Sequence, residues 1–410
     1  MNRKQLLVLL ALVLVVGGAG LLLRKKEDSS WTSGNVGIGK KLMANLPIND
    51  ISHVVIKQGA AELNLEKKDD LWRVRERDGY PANYTELADF LLKVRDLKAA
   101  QTETVGPSQL PRLGLSTQGT NAATVVEFRD KSDKTLQSLL LGKKHMKKSD
   151  RPSPFGDAGE DGWPDGRYIK VGNDATTVVV ISDPMASIEP KPEQWLSKDF
   201  FHVDRVKSIS VSFSVETNSW KLSRETESGE WKLADTRPGE LLDSAKTASV
   251  ANPLSSPSFV DVINGAKPEM LGLDKPTLAT LETFDDFTYT LKVGGKTNDN
   301  YPLMIQVAGS VAKERTPGKD EKPEDKAKLD KEFKDKQAKL EEKLAQEKTL
   351  EKWTYLVSSW TLDALLKERS HFMVEKKDET KKDDKKGEAD AAVPGADATT
   401  PPAPATSDPK

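Results

Sequence analysis

Residues Gly34-Asn35-Val36-Gly37-Ile38-Gly39-Lys40 satisfy the Gly-x4-Gly-Lys part of a phosphate-binding loop. Such a loop holds phosphate with backbone N–H groups strung between a strand and a helix N-terminus, and a following Ser or Thr holds Mg²⁺. Here Lys41 takes the Ser/Thr position, and no apolar strand feeds in through Glu27–Ser33. The stretch therefore reads as a Gly-rich spacer, and no nucleotide is expected. The four histidines, His53, His145, His202 and His371, include no pair at a metal-ligand spacing. No Gly-x-Ser-x-Gly elbow marks a nucleophile for them to activate. Trp163-Pro164-Asp165-Gly166, with the acidic residues 157–161 ahead of it, reads as a long hairpin insertion. Its oxygens lack the strict spacing of a Ca²⁺ loop. Trp72, Trp220 and Trp231 could form a carbohydrate platform, but their placement on alternating strands favours core packing. No catalytic, cofactor-binding or metal-ligating residue is assigned, and the chain is expected not to be an enzyme.

Composition narrows the class further. The 410 residues carry 62 Lys and Arg against 64 Asp and Glu, a net charge of −2 that argues against a nucleic-acid binder. There is no cysteine, which removes disulfides, thiolate metal sites and a Cys nucleophile together. Charge is concentrated in two tracts, roughly 313–352 and 375–410. The first is Lys/Glu-rich and places Leu329, Phe333, Leu340 and Leu344 near one narrow face, as a solvated helical arm or a docking helix would. The second, with Lys/Asp blocks and then Ala-Pro-Thr, reads as a disordered tail.

Residues 5–23 are uncharged and largely apolar, flanked by Arg3-Lys4 and Arg24-Lys25-Lys26. At about 1.5 Å per residue such a run spans nearly 30 Å, the thickness of a bilayer core. A retained transmembrane anchor is the preferred reading and a cleaved signal peptide the competing one. The basic flanks nearly balance. A cytoplasmic N-terminus is favoured because a short basic head before an apolar run resembles an export signal.

The remainder reads twice in the same order. Ile51–Ile56 is answered by Val206–Val211, and Leu71-Trp72-Arg73-Val74 by Glu230-Trp231-Lys232-Leu233. A helix follows each, then Leu113-Gly114-Leu115 and Leu271-Gly272-Leu273, then Leu141-Gly142-Lys143 and Val293-Gly294-Gly295-Lys296. Ile209, Val211, Phe213 and Val215 alternate with polar residues, as do Phe287, Tyr289, Leu291 and Val293, the period of half-buried antiparallel strands. Leu87, Phe90, Leu91, Val94 and Leu97 form one helical stripe, with Asn83 and Glu86 placed as a capping box. A second, weaker helix is expected at about 239–251.

At this Trp–helix–Leu-Gly-Leu spacing the chain resembles an uncharacterised bacterial family, a domain of unknown function that is membrane-anchored and often tandem. The resemblance covers most of residues 45–375 and rests on Trp72, Trp231, the helices after each, Leu113-Gly114-Leu115, Leu271-Gly272-Leu273-Asp274 and Pro276. The family brings no catalytic residues to carry over. Its genes often lie beside those for ABC transporter permeases and the auxiliary component of gliding-motility transport systems, which implies an auxiliary role near a transporter.

The expected fold is α+β: an N-terminal transmembrane helix followed by two tandem repeats of an antiparallel-sheet-plus-helix domain. The expected boundaries are an anchor at 1–26, a spacer at 27–47, repeats at 48–203 and 204–375, with the insertion 313–352 in the second, and a tail at 376–410. The expected partners are the membrane through residues 5–23 and ABC permease or auxiliary subunits, with no nucleic acid. The expected location is the bacterial inner membrane, crossed once, with the bulk of the chain extracytoplasmic. The function so implied is that of a non-enzymatic accessory or scaffold protein of an ABC-type export or gliding-motility-related system. The alternative is an envelope module that binds polysaccharide or peptide.

Overall fold

The computed structural model describes residues 38–119, 121–147, 163–172, 177–318 and 321–374. The first part contains β1 (His53–Gln58), β2 (Ala61–Lys68), β3 (Leu71–Val74), β4 (Tyr80–Pro81), α1 (Tyr84–Asp96), β5 (Gln101–Thr104), β6 (Thr124–Arg129), β7 (Thr135–Lys147), β8 (Trp163–Val171) and β9 (Thr177–Ile181). Its strands form one antiparallel sheet in the order β4-β3-β2-β1-β6-β7-β8-β9-β5.

The second part contains β10 (Val206–Ser212), β11 (Trp220–Ser223), β12 (Lys232–Leu233), α2 (Ser244–Thr247), β13 (Asp261–Ile263), β14 (Thr277–Thr283), β15 (Phe287–Val293), β16 (Asn300–Gly309), α3 (Lys326–Lys348), β17 (Thr354–Ser358) and α4 (Ser359–Leu362). Its sheet runs β12-β11-β10-β14-β15-β16-β17-β13, also antiparallel throughout. From β3 to β5 and from β12 to β13 the two sheets follow one path.

The local causes are those of half-buried sheets. Along β15, Phe287, Tyr289, Leu291 and Val293 are buried while Thr288, Thr290 and Lys292 are less so. In α1 the stripe Leu87, Phe90, Leu91 and Val94 faces inward, and the Asn83 side chain accepts the Glu86 N–H at the N-cap. Trp220 is buried against Phe372, with ring centroids 4.8 Å apart, and its Nε1–H donates to Lys367 O at 2.7 Å. Trp220→Phe keeps most of the packing and orphans that carbonyl. A loss of about 1 kcal/mol in urea unfolding is expected, and an unchanged midpoint would refute the assignment of this bond.

The Leu-Gly-Leu triplets mark a close approach of backbones. The 3₁₀ segments Pro107–Leu113 and Pro268–Leu271 each end on a glycine in the left-handed region, Gly114 (φ 65°) and Gly272 (φ 66°). A Cβ on Gly114 would lie 3.0 Å from Lys143 N, and one on Gly272 2.6 Å from Gly295 N. The facing glycines are as constrained: a Cβ on Gly142 would lie 2.5 Å from Leu113 O, and one on Gly294 would collide with Leu271 O.

Two expectations are corrected. The fold is not α+β with a helix in each unit, but two antiparallel sheets with few helices. The helix expected at about 239–251 is reduced to four residues of α2 and a 3₁₀ turn at Ala248–Val250. Just ahead of it Leu242 pairs with Met373 and Asp243 N–H donates to Phe372 O, so the backbone there is committed to a neighbouring segment. Second, no helix among the described residues is long and apolar enough to cross a membrane. The 23-residue α3 has the length but carries Lys, Glu and Asp throughout. Residues 5–23, where the transmembrane helix was expected, lie outside the described residues, as does the tail 376–410.

Candidate functional site: the seam between the sheets

The two halves meet along β4 on one side and β13, β17 and the end of α3 on the other. Tyr80, 1 % exposed, packs edge-on against Phe259, Trp353 and Tyr355, with centroids 5.8, 4.7 and 6.1 Å away. Phe200, in the connection between the halves, adds contacts to Phe259 at 5.0 Å and Tyr355 at 4.8 Å. Such pairs add about 1 kcal/mol each beyond burial of their area. Burial pushes the hydroxyls of Tyr80 and Tyr355 well above the usual tyrosine range, so both stay neutral.

Beside this cluster, Arg77 grips Asp261 in a two-pronged bridge, Nε to Oδ1 and Nη2 to Oδ2, both 2.7 Å. Hydrogen bonding to Asp261 raises the Arg77 value further. Each side chain is only about a fifth exposed (20 % and 22 %), so the pair is partly shielded from solvent. Arg77→Met is expected to lower stability by about 2 kcal/mol, because it leaves Asp261 without its counter-charge. Urea unfolding read by tryptophan fluorescence checks this, and a wild-type midpoint would contradict a fastening role.

A cleft of about 560 Å³ opens next to the seam, lined by Tyr80, Pro81, Phe200, His202, Lys343 and Glu347 among others. Glu347 is 4 % exposed. Its Oε2 accepts the Tyr289 O–H at 2.8 Å and its Oε1 the His202 N–H at 3.1 Å. Burial, and then the Glu347 charge, push the Tyr289 hydroxyl far up. Lys343 Nζ donates to His202 O at 2.8 Å. Glu347 and Lys343 thus spend bonds on the protein itself and shape the cleft wall, while the half-exposed His202 imidazole faces Asp204, Nε2 to Oδ2 at 3.1 Å.

The structure disperses the sequence candidates. Gly39–Leu42 pairs with residues 97–99 (Gly39 N–H to Ala99 O 2.8 Å, Leu42 N–H to Leu97 O 2.9 Å), so Lys40 heads no helix. Gly34–Gly37 lie outside the described residues. His53 is buried between Asp133 (2.8 Å) and Asn64 Oδ1 (2.9 Å). His145 bonds Asp165 at 2.6 Å, His202 lies at the seam, and His371 stacks edge-on against Phe372. Among the described residues no three His or acidic groups gather as metal ligands. Residues 157–161 are not described. Trp163–Gly166 opens the return strand of the β7–β8 hairpin, paired with β7 from His145 to Lys147. Trp72 and Trp220 are core, while Trp231 is half-buried beneath the Arg224 guanidinium. Leu340 and Leu344 of α3 pack, partly buried, against the hydrophobic core, and Lys336 reaches Asp285 at 2.7 Å.

Sequence reasoning missed the seam. Its one readable signal was the aromatic density of Phe200-Phe201, Phe259 and Trp353-x-Tyr355 at element ends.

The class defined so far is a two-sheet antiparallel protein whose halves are joined by an aromatic seam. A family model described as Domain of unknown function (DUF4340) matches residues 159–276, so a DUF4340 domain is found in this stretch. The match runs from β8 through the connection to β13 and so includes Phe200, Phe259 and Asp261 of the seam. No curated protein and no solved structure matches the chain significantly.

Proposed function

We propose that the chain is a non-enzymatic accessory protein of an ABC-type export or gliding-motility-related system. It is tethered to the bacterial inner membrane through residues 5–23, with its bulk outside the cytoplasm. In this reading the two halves are copies of one folding unit, and the molecule acts as a scaffold. The supporting observation is the seam: Tyr80, Phe259, Trp353 and Tyr355 with the Arg77–Asp261 bridge hold two sheets as one body with fixed outer surfaces. The test is gentle detergent extraction of the full chain from its own cells. Permease and ATPase subunits should co-purify with it. Recovery of the chain in buffer without detergent, free of any transporter subunit, would overturn the reading.

One observation favours a second reading, an envelope module for polysaccharide or peptide. The seam cleft sets Pro81, Phe200 and Leu350 beside a polar rim of Asp199, Gln346 and Thr349. In that case the full chain should retain a fluorescent glycan or peptide, and Phe200→Ala should abolish retention.

A further inference from the structure

The hydrogen bonds around β4 recur in the second half. In the first, Ala82 bridges Leu196, Asn83 N–H donates to Trp195 O at 2.8 Å, and Ser197 N–H to Pro81 O at 2.9 Å. In the second, Leu242 bridges Met373, Asp243 N–H donates to Phe372 O at 2.8 Å, and Val374 N–H to Leu241 O at 2.9 Å. Asn83 and Asp243 then each cap the helix that follows. By this correspondence Leu241 and Val374 stand where Pro81 and Ser197 stand. Arg237 precedes Leu241 by the interval that separates Arg77 from Pro81.

In the first half this surface is covered. Arg77 takes the Asp261 carboxylate, and Tyr80, Pro81 and Ser197 lie against or beside the aromatic edge of the second half. In the second half its counterpart is open: Leu241 is 67 % and Val374 44 % exposed. The Arg237 guanidinium, also exposed, reaches the Thr217 carbonyl at 3.4 Å. Two exposed apolar residues on paired backbone, with an exposed arginine four residues before the first, are what the closed seam would present if its other side were removed.

Resting on the accessory reading, we infer that the Arg237–Leu241–Val374 face docks a protein partner by its sheet edge. That edge supplies a carboxylate to Arg237 and an aromatic side chain to Leu241 and Val374, as Asp261 and Phe259 are supplied within the chain. A second copy of this chain does not fit. Ala100 N–H donates to Val180 O as Val260 N–H donates to Leu356 O, which puts Ala99 and Gln101 of the first half where Phe259 and Asp261 stand. That edge has neither aromatic nor carboxylate at those places, and Gly39–Leu42 already pairs with it.

The test places a photoreactive phenylalanine analogue at position 241 of the full chain in its own cells, with position 71 as control; Leu71 is also exposed, at 55 %. Irradiation should give one protein adduct specific to position 241. The cross-linked partner segment should carry an aromatic residue within two positions of an Asp or Glu. Arg237→Glu should cut that adduct at least tenfold in a chain that still unfolds cooperatively, and reversing the partner carboxylate to Lys should restore it. Adducts equal at 241 and 71, or an adduct indifferent to Arg237→Glu, would overturn the inference. If the partner proves to be no transporter subunit, the accessory reading fails while the docking face stands.

Discussion

Gly272→Ala is expected to destabilise the protein by about 3 kcal/mol, whereas Gly265→Ala should cost only about 1 kcal/mol. Both glycines sit in the left-handed region, at φ 66° and 70°. An alanine at either meets the same intrinsic penalty, of order 1 kcal/mol. They differ in surroundings. A Cβ at position 265 meets nothing within 4 Å, while one at 272 would lie 2.6 Å from Gly295 N and 3.1 Å from Gly295 Cα. Backbone cannot rotate away as a side chain can, so the 3₁₀ segment must lift off the Gly294-Gly295 stretch that follows β15, and the Gly295 N–H to Leu271 O bond of 2.8 Å is strained or lost. Paired urea titrations measure the difference directly. Equal losses at the two positions would mean that the Leu-Gly-Leu triplet is a simple turn.

That triplet shows what was legible in the sequence and what was not. Leu-Gly-Leu stood out as a recurring landmark because its cause is local: a segment that ends on a left-handed residue calls for glycine. The alternation along β15 and the stripe of α1 were equally local, since each follows from one element with one buried face. The seam depends on residues far apart in the chain. Nothing near Arg77 announces Asp261, and Glu347 looks like any other Glu on a Lys/Glu-rich helix until Tyr289 and His202 are seen to bond it. Tertiary pairing also overrode local propensity. A weak helix is expected at about 239–251, but residues 373 and 374 draw Leu241 and Leu242 at its start into a short ladder. Trp163-Pro164-Asp165-Gly166 has the composition of a turn. It runs as strand because the ladder between β7 and β8 is irregular there, and because Gly166 lets the Ile181 carbonyl approach where a Cβ would not fit.

The second large effect is expected at Glu240. Arg369 is 5 % exposed and bonds Glu240 at both oxygens, Nε to Oε1 at 2.9 Å and Nη2 to Oε2 at 2.6 Å, with Asp235 O accepting a further bond at 2.8 Å. Glu240→Gln removes the counter-charge and leaves a nearly buried guanidinium, for which a loss of about 3 kcal/mol is expected. Replacing both partners, as Glu240→Leu with Arg369→Met, should cost less than the single change, because no charge is then stranded. Acid should reproduce the single change. Bonding to Arg369, then to the Arg237 N–H, holds the Glu240 carboxyl at about 2, below its ordinary 4.5. A depressed folded-state value means that the unfolded chain takes up the proton first. The contribution of the pair is therefore complete above about pH 4.5 and fades as pH falls from there towards 2. Urea midpoints of wild type and Glu240→Gln should lie far apart at pH 6 and converge by pH 2.5. A gap that is small at pH 6, or that persists unchanged into acid, would show that the Arg369 charge is neutralised by something other than Glu240.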